Sequence, residues 1–491
     1  MASTDQIHVI VIPLMSQSHL IPMIDLSKIL AKRGLIITII TTPLNAARYQ
    51  ATVDRAIRSG RLRIKLVPLP FPCNEAGLPE GCENLDSLPS PDLQTKFLVS
   101  SSLLQAPLES HLEKVDPRPS CIISSLPWTK DVAYKFNIPR FAYQGISCFT
   151  LLCSHKMMLH KVHENVKYDN EPFLVPDVPD KIEFTYAQLP KMMRTSSSHG
   201  DDGIDLKDIR HQFKQAEISA EGLLVNTFEE LELDYVKSYQ KVAMGNVLCV
   251  GALSLCNRMV KDYEEMTSID EHYCLKWLDT MKPKSVIYVC FGSLCHLLPK
   301  QLIEIGKGLE ASNSPFIWII REVDYNEEIK KWVKNENFED RLKGKGLIIK
   351  GWAPQVLILS HPATGGFMTH CGWNSTLEGV SAGVPMITWP MFAEQFYNEK
   401  LIVQVLKIGI RIGVEVTMQW GEEANDGIYV KRESVKDVVD QLMDEGEKGQ
   451  ERRRKAQELG ERANQAVEEG GSSYMNITSF IEHVKQWCNL N

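Results

Sequence analysis

The chain opens on a short apolar stretch, a longer amphipathic stretch and a second short apolar stretch. His8–Ile12 is rich in β-branched residues and predicts a strand, and Leu35–Thr41 predicts a second one. Between them, Pro22 is placed to open a helix and Gly34 to close it. This order is typical of a βαβ unit in a parallel sheet, where ligands bind at the strand ends. The loop 14–21 after the first strand is therefore a candidate site.

A second βαβ pattern begins near Ser285. Ser285–Cys290 and Pro315–Ile320 predict strands, and Lys300–Ala311 predicts the helix between them. Two such halves, each with loops at its strand ends, would hold two ligands at once, which suits a group-transfer reaction. No GxGxxG follows a predicted strand and no phosphate loop ending in GKS or GKT occurs. The sequence therefore indicates neither a dinucleotide enzyme nor a P-loop kinase.

Changes of composition divide the chain into domains. We expect a first Rossmann-like domain over residues 1–250, a linker over 251–272 where the apolar period is lost, and a second Rossmann-like domain over 273–473. The stretch 180–203, rich in Ser, Pro and Met, is predicted to be a mobile loop or lid of the first domain. A short amphipathic helix, 474–491, follows a glycine break and is expected to pack back on the first domain.

Charge and cysteine usage exclude several classes of protein. The 491 residues carry 54 Lys plus Arg against 62 Asp plus Glu, a formal net charge of -8, so nucleic acid is not expected as a partner. The first residues have no basic segment ahead of a long apolar one, and we expect a cytoplasmic protein without stable membrane insertion. The 12 cysteines include no CxxC pair, and His, Asp and Glu show no ligand spacing, so neither a disulfide framework nor a metal site is predicted.

The stretch 352–395 concentrates three tryptophans, two histidines and a glycine-rich loop. Within it, a short apolar strand around Phe367 ends at His370, and a helix is predicted to open at Asn374. The N–H groups and the dipole at a helix start attract a phosphate, and His370, Asn374 and Ser375 can add side-chain donors. The alternative is that Asn374 or Ser375 serves only as an N-cap.

This stretch resembles the C-terminal signature box of plant secondary-product UDP-glycosyltransferases, glycosyltransferase family 1, at nearly every fixed position. Ile21–Gly34, Asn226–Glu232 and Glu468–Ser473 resemble the family as well, so the likeness covers essentially the whole chain. It is closest to the clade that acts on steroids, triterpenoids, flavonoids and cytokinins. The resemblance implies an α/β fold of the GT-B type, with two Rossmann-like doubly wound domains facing across a cleft. The first would bind mainly the acceptor and the second mainly the donor.

The resemblance also implies how a UDP-sugar is bound. Trp352 would stack on the uracil. The Ala353 backbone and Gln355 would read uracil and ribose, and Glu378 would accept bonds from the ribose hydroxyls. The other donor-binding residues implied are Ser293, His370, Asn374 and Ser375 for the diphosphate, Trp373, Glu394 and Gln395 for the sugar, and Gly372 at the helix start. A glutamine at the position of Gln395 goes with glucose in most of the family.

His19, after the first predicted strand, is the candidate catalytic residue. An imidazole titrates near working pH and can take a proton from an acceptor hydroxyl. In the family that the sequence resembles, a histidine in the pattern PxxxQGHxxP is the general base of an inverting displacement of UDP. Here Ser18 replaces the usual glycine, and we expect this change to be tolerated.

The chain departs from the family pattern after Cys121–Ser124. Family members usually place an aspartate there, which bonds the histidine and stabilises its charged form, whereas this chain reads Ser125 and is two residues shorter. Losing such a partner removes both orientation and electrostatic support of the imidazole. Three explanations stay open: Asp131 substitutes for the aspartate, the acceptor is an acidic phenol that needs little help, or the reaction is unusual, such as attack through carbon.

The sequence thus predicts a UDP-dependent glycosyltransferase that moves a sugar, glucose by preference, with inversion from UDP-glucose as co-substrate to a hydroxyl of a small apolar acceptor. A triterpenoid or steroid and a flavonoid or other phenolic are the expected acceptors, and no further cofactor is expected. C-glycosylation of a phenolic, a UDP-sugar-binding protein with lost or weak turnover and a UDP-sugar hydrolase are the alternatives. Phe149–Leu159 and Pro70–Leu93 would line the acceptor pocket, unless Met157 and its neighbours are ordinary core. The sequence does not indicate the acceptor's identity, the linkage or the oligomeric state.

Overall fold

Aliphatic and β-branched segments of the chain become the buried strands of two parallel sheets. The computed structural model of the protein describes residues 7–90, 92–194, 206–243, 245–257, 269–418 and 430–490. Two compact units can be separated. Unit 1 consists of Met1–Cys148, Thr195–Cys256 and Ala466–Asn491, and unit 2 consists of Phe149–Arg194 and Asn257–Gln465.

The elements are numbered along the chain. The strands are β1 (His8–Ile12), β2 (Ile36–Thr41), β3 (Ile64–Pro68), β4 (Cys121–Ser124), β5 (Arg140–Gln144), β6 (Pro172–Leu174), β7 (Glu183–Thr185), β8 (Gly222–Val225), β9 (Asn246–Cys249), β10 (Val286–Cys290), β11 (Phe316–Ile320), β12 (Gly346–Lys350), β13 (Thr364–Thr369), β14 (Met386–Thr388) and β15 (Gly409–Arg411). The α-helices are α1 (Gln17–Lys32), α2 (Pro43–Gly60), α3 (Leu93–Ser100), α4 (Gln105–Leu112), α5 (Thr129–Phe136), α6 (Cys148–His160), α7 (Leu206–Ile218), α8 (Leu233–Gln240), α9 (Ile269–Asp279), α10 (Pro299–Ser312), α11 (Glu327–Asn335), α12 (Phe338–Arg341), α13 (Gln355–Ser360), α14 (Trp373–Ser381), α15 (Gln395–Lys400), α16 (Arg432–Met443), α17 (Glu447–Val467) and α18 (Ser472–Leu490).

Unit 1 is built on a parallel sheet with the strand order β3-β2-β1-β4-β5-β8-β9. β1 lies in the middle, with Val9 opposite Ile37 of β2 and Cys121 of β4. All five residues of β1 are buried, as expected of a strand whose sheet is covered on both faces. Because β1, β4 and β5 are neighbours, the residues that follow these three strands meet at one edge of the sheet.

Unit 2 repeats this plan with the strand order β12-β11-β10-β13-β14-β15. β10 lies between β11 and β13, with Tyr288 opposite Ile317 and Phe367. The residues that follow β10 and β13 therefore lie next to each other at the carboxyl edge of the sheet. β6 and β7 form a separate antiparallel pair within the same unit.

Helix α1 begins earlier than its proline suggests. It starts at Gln17, after Ser16 in an extended conformation, and Pro22 lies inside it. Proline lacks the N–H that an α-helix uses from its second turn on, so Pro22, at the sixth position, gives up one hydrogen bond, to the carbonyl of the exposed Ser18 in the first turn. The prediction that Pro22 opens the helix is therefore wrong. His19 lies in the first helical turn and not in a loop.

The last helix, α18, packs onto the sheet of unit 1. Ile477, Phe480, Ile481 and Val484 are buried in the same core as β1 and β2. The ring of Phe480 lies edge-on to Phe141 of β5, with 4.8 Å between the ring centroids. With 19 residues, the helix is longer than the short one predicted.

The segment 149–194 packs with unit 2, although composition had placed it in the first domain. Aromatic burial explains the difference. The rings of Phe184 on β7 and Tyr397 are both fully buried and lie 4.6 Å apart. Close by, Nε2 of Gln188 donates to Glu415 at 2.8 Å. Apolar packing of this kind can outweigh proximity along the chain.

Parts of two predicted segments fall outside the described residues: 195–203 of the predicted lid and 258–268 of the predicted linker. All 12 cysteines are free thiols, and most are buried. Among the helices that the structure describes, none is long and apolar enough to cross a membrane.

Candidate active site

Helix α14 starts directly after β13, a strand in the middle of the sheet of unit 2. Cys371 takes a left-handed conformation with a φ of 64° and turns the chain, and Gly372 is the N-cap. The N–H of Thr376 bonds the carbonyl of Gly372 at 2.9 Å, which closes the first helical turn. The N–H groups before it point out of the helix start, at the positive end of the helix dipole. This geometry suits a bound anion such as a phosphate.

The imidazole of His370 is packed between two glycines. A Cβ at Gly292, whose φ is 76°, would lie 2.6 Å from Cε1 of His370, and a Cβ at Gly372 would overlap Nε2. Burial lowers the pKa of His370 to about 4, so the ring is neutral at physiological pH. Its buried Nδ1 has no hydrogen-bond partner among the described residues, and such an atom suits a ligand oxygen. Ser293 is exposed in the turn beside Gly292.

A hydrogen-bond network joins Gln355, Ser375 and Glu378. Gln355, the first residue of α13, donates Nε2 to Oγ of Ser375 at 3.0 Å and to Oε2 of Glu378 at 2.7 Å. Its Oε1 accepts the hydroxyl of Tyr288 at 3.3 Å. The network fixes the carboxylate of Glu378, a group able to accept bonds from two neighbouring hydroxyls. Sequence reasoning missed Tyr288, because only the folding of β10 beside β13 brings its hydroxyl to Gln355.

Trp352 is exposed, although tryptophan is a large apolar residue. Gly351, with a φ of 96°, turns the chain after β12, and the side chain of Trp352 keeps 71% of its surface exposed. The neighbouring Ala353 is buried, and its carbonyl accepts the N–H of Gln355 at 2.8 Å. An open indole face on a fixed backbone suits stacking on a nucleobase.

The residues predicted to face the sugar lie at the starts of α14 and α15. Trp373 is only 2% exposed. Burial raises the pKa of the Glu394 carboxyl, and backbone N–H groups that include that of Trp373 act in the opposite direction. Oε1 of Gln395 accepts the N–H groups of Met391 at 2.7 Å and Phe392 at 3.1 Å. The amide hydrogens of Gln395 are thus the part of its side chain suited to a sugar hydroxyl.

His19 is half-buried in unit 1, where the ends of β1, β4 and β5 meet. Its Nδ1 lies 3.4 Å from Oγ of Ser125, which in turn donates to the carbonyl of Tyr143 at 3.0 Å. The ring stands edge-on to that of Tyr143 at 6.5 Å between centroids. Burial lowers the pKa of His19 to about 4, so the imidazole is neutral and can accept a proton.

Asp131 does not replace the family aspartate in this structure. It lies exposed in the first turn of α5, and the hydrogen bond of His19 that the structure describes goes to Ser125. The first of the three explanations drawn from the sequence is therefore not supported. Tyr143, whose carbonyl completes the arrangement, was missed because only the neighbouring positions of β4 and β5 in the sheet bring it there.

No group of three or more His, Cys, Asp and Glu side chains that could hold a metal ion occurs within the described part of the chain. Unit 2 instead offers a helix start and a neutral imidazole to an anion, and an exposed indole to a flat ring. Together with the parallel sheets, this set of groups is typical of α/β proteins that bind a nucleoside diphosphate.

Comparison with known proteins narrows this class. The family model for UDP-glucoronosyl and UDP-glucosyl transferases matches residues 271–419. UDP-glycosyltransferase 73C3 of Arabidopsis thaliana is 49% identical over 98% of this chain and 96% of its own length. The crystal structure of Glycyrrhiza uralensis UGT73P12 complexed with glycyrrhetinic acid 3-O-monoglucuronide is similar with a TM-score of 0.88 and 34% identity, covering 99% of this chain and 96% of that one. Phytolacca americana UGT2, complexed with UDP-2fluoro-glucose and pterostilbene, has a TM-score of 0.75 and 26% identity, covering 98% and 100%.

The chain therefore belongs to the plant UDP-glycosyltransferases of family 1. It is an enzyme, a UDP-dependent glycosyltransferase that transfers sugar from a UDP-sugar to an acceptor, and its fold is of the GT-B class. The family resemblance and the α/β fold class drawn from the sequence are confirmed.

Proposed function

We propose that the enzyme transfers glucose, with inversion, from UDP-glucose to a hydroxyl of an apolar small molecule, either a triterpenoid or steroid or a flavonoid or other phenolic. The observation that carries the proposal is the neutral imidazole of His19, held at Nδ1 and therefore able to accept a proton at Nε2. A single base with a direct attack by the acceptor oxygen inverts the anomeric centre.

In this proposal the residues of unit 2 hold the donor. Trp352 stacks on the uracil, and Glu378, fixed by Gln355, accepts the ribose hydroxyls. The diphosphate lies at the start of α14, where His370 donates from its neutral ring. The remaining donor contacts proposed are those of Ala353, Gly372, Asn374, Ser375 and Ser293 with the nucleotide and of Trp373, Glu394 and Gln395 with the sugar.

The proposed reaction forms one bond and breaks one. The acceptor oxygen attacks the anomeric carbon and loses its proton to Nε2 of His19, while the bond from that carbon to the β-phosphate oxygen breaks and UDP leaves with the electron pair. The N–H groups of the α14 start stabilise the charge that develops on the diphosphate. His19 then returns the proton to solvent, for which its low pKa is favourable.

The ligands bound by two similar proteins support the choice of glucose and of an apolar acceptor. The Phytolacca protein was solved with UDP-2fluoro-glucose and pterostilbene, and the Glycyrrhiza protein with glycyrrhetinic acid 3-O-monoglucuronide. Of the segments expected to line the acceptor pocket, α6 contributes Met157, which is fully buried near the hydroxyl of Tyr397 in unit 2. We assign Met157 to the core. A cytoplasmic location is proposed as well, supported by 12 free thiols, which a reducing compartment preserves.

Mass spectrometry of the purified protein with UDP-glucose and a mixed panel of phenols, flavonoids, sterols and triterpenoids tests the proposal. A product heavier by one hexose supports it and names the acceptor class, and resistance of that product to acid would instead indicate a bond to carbon. The control is His19→Ala, expected to lower transfer by about 100-fold or more with unchanged UDP-glucose affinity. Binding of UDP-glucose without any product would favour a binding protein, and UDP release without an acceptor would favour a hydrolase.

A further inference from the structure

The hydrogen bonds around His19 determine which of its nitrogens carries the proton. A carbonyl oxygen can only accept, so the hydroxyl of Ser125, 3.0 Å from the carbonyl of Tyr143, uses its one proton there. Toward His19, at 3.4 Å, the same oxygen can then only accept. Nδ1 of His19 therefore carries its hydrogen, and Nε2 is the nitrogen with the free electron pair.

Among the residues that the structure describes, the groups packed around His19 offer no uncompensated negative charge to its protonated form. Ser125 is neutral, and burial raises the pKa of the Tyr143 phenol, so that Tyr143 is neutral too. On the helix of His19 itself, Asp25 is paired with Lys28 at 3.0 Å. Burial is the cause of the lowered pKa of His19.

A second carboxylate approaches the first turn of α1. Asp86 accepts a hydrogen bond from Gln17 and is paired with Arg48 at 2.7 Å. Its charge is therefore compensated by a guanidinium. Within the described part of the chain, the side-chain hydrogen bond that would support an imidazolium at His19 is the one to Ser125.

We propose that Ser125 is the positioning residue that fixes this tautomer of His19, and that its neutrality restricts the enzyme to acceptors with an acidic hydroxyl, phenols in place of aliphatic alcohols. The inference rests on the proposed function, in which His19 is the base. It names the acceptor class within that function.

Proton affinities give the reason for this restriction. A phenol titrates near 10, as tyrosine does, whereas water, which an aliphatic alcohol resembles, titrates near 15.7, a gap of roughly five to six pK units. A carboxylate beside the base stabilises the imidazolium directly. Such a base can therefore deprotonate a less acidic hydroxyl than a base whose partner is a neutral hydroxyl. With Ser125 as the partner of His19, the acceptor hydroxyl itself has to be acidic.

The test compares 4-methylphenol with benzyl alcohol, two isomeric acceptors of similar size, under saturating UDP-glucose. For the natural enzyme we expect kcat/KM to be about 100-fold higher for the phenol. Ser125→Asp should narrow this ratio at least about tenfold, mainly through kcat for the alcohol, and should move the acidic limb of the pH profile upward because a carboxylate raises the pKa of His19. An alcohol transferred within about threefold of the phenol by the natural enzyme, or an unchanged ratio in Ser125→Asp, overturns the inference.

A second pair of variants separates positioning from a merely structural role. Ser125→Ala should lower kcat for the phenol about fivefold or more, the value of a lost neutral hydrogen bond, while KM and UDP-glucose affinity stay constant. Ser125→Thr, which keeps the hydroxyl, should restore kcat. Full kcat in Ser125→Ala, or failure of Ser125→Thr to restore it, contradicts the assignment. This pair decides the question even if Ser125→Asp does not fold.

Failure of this inference can be told from failure of the proposed function. Transfer that depends on His19 but treats both acceptors alike removes only the role of Ser125. Absence of transfer to every acceptor, or transfer that His19→Ala leaves unchanged, removes the proposed function itself. Asp131→Asn serves as the matched control, because its exposed side chain lies outside this hydrogen-bond chain and its kinetics should equal those of the natural enzyme.

Discussion

Glu378 shows how one side chain is prepared for a ligand before the ligand binds. Its Oε2 is held by Gln355 at 2.7 Å, and Gln355 is itself held through Oε1 by Tyr288. A carboxylate fixed in this way has less freedom to lose when it binds a diol. The network would hold Glu378 in place for the ribose contact proposed for it.

We predict that Glu378→Ala weakens UDP binding about 10- to 100-fold, the range expected for lost hydrogen bonds to a charged group. Isothermal titration calorimetry with UDP and 2′-deoxy-UDP checks the partner as well as the size of the effect. The natural enzyme should bind UDP more tightly than 2′-deoxy-UDP, and Glu378→Ala should bind the two almost equally. A preference for UDP that survives in the variant would show that Glu378 does not contact the ribose.

At the residue scale, the candidate donor residues can be proposed from the sequence, whereas the residues that support them cannot. Trp352, His370 and Glu378 stand in one continuous stretch whose strand, turn and helix can be read from periodicity. Tyr288 and Tyr143 lie on other strands, and they reach the site only through the order of strands in each sheet. That order depends on packing across the whole unit and leaves no local signal.

At the scale of elements, the turn after β10 shapes the candidate phosphate site together with the start of α14. Gly292 has a positive φ and lies against the ring of His370, so an added Cβ meets both backbone strain and a steric clash. Gly344 has nearly the same φ, 78°, but an added Cβ there meets nothing within 4 Å. Comparing an alanine at Gly292 with one at Gly344 therefore separates the steric clash from the backbone strain.

We expect Gly344→Ala to cost about 1 kcal/mol of stability, the strain of a left-handed alanine, without affecting UDP binding. Gly292→Ala should cost more and should also weaken UDP binding, since it displaces His370. Thermal unfolding and calorimetry of both variants check this expectation. Equal stability losses with unchanged UDP affinity in both would mean that the packing of His370 against Gly292 has no part in the donor site.

The elements also show why some boundaries escaped sequence reasoning. The strands β1, β2, β10 and β11 were predicted to within one residue, because buried parallel strands are continuous apolar runs. Pro22 was misread because its tolerance depends on its place in the first helical turns. The segment 149–194 was misassigned because its decisive contacts, such as those of Phe184, are with residues more than two hundred positions away.

At the scale of the whole molecule, each unit holds a neutral imidazole at its candidate site. Burial lowers the pKa values of His19 and His370 to about 4 each. In the unfolded chain a histidine has a pKa near 6.5, whereas in the folded protein His19 and His370 take up a proton only near pH 4. Both contributions to stability are therefore complete above pH 6.5 and are lost as the pH falls from 6.5 toward 4, where the unfolded state binds more protons.

We predict that the thermal midpoint falls between pH 7 and pH 4.5, and that it falls less in His370→Asn, which has no proton to take up at that position. His211→Gln, a change of an exposed histidine on α7, is the matched control and should follow the natural protein. Differential scanning fluorimetry across this range provides the midpoints. A His370→Asn curve parallel to that of the natural protein would contradict the account of this buried imidazole.

The proposed mechanism is a direct displacement of UDP by an acceptor oxygen that His19 deprotonates. Proton NMR of the purified product made from UDP-α-glucose and a phenol tests it most directly, because the coupling of the anomeric proton distinguishes the two anomers. We predict the large coupling of a β-glucoside, formed by the natural enzyme and not by His19→Ala. An α-glucoside, or a β-glucoside formed equally well without His19, would contradict it.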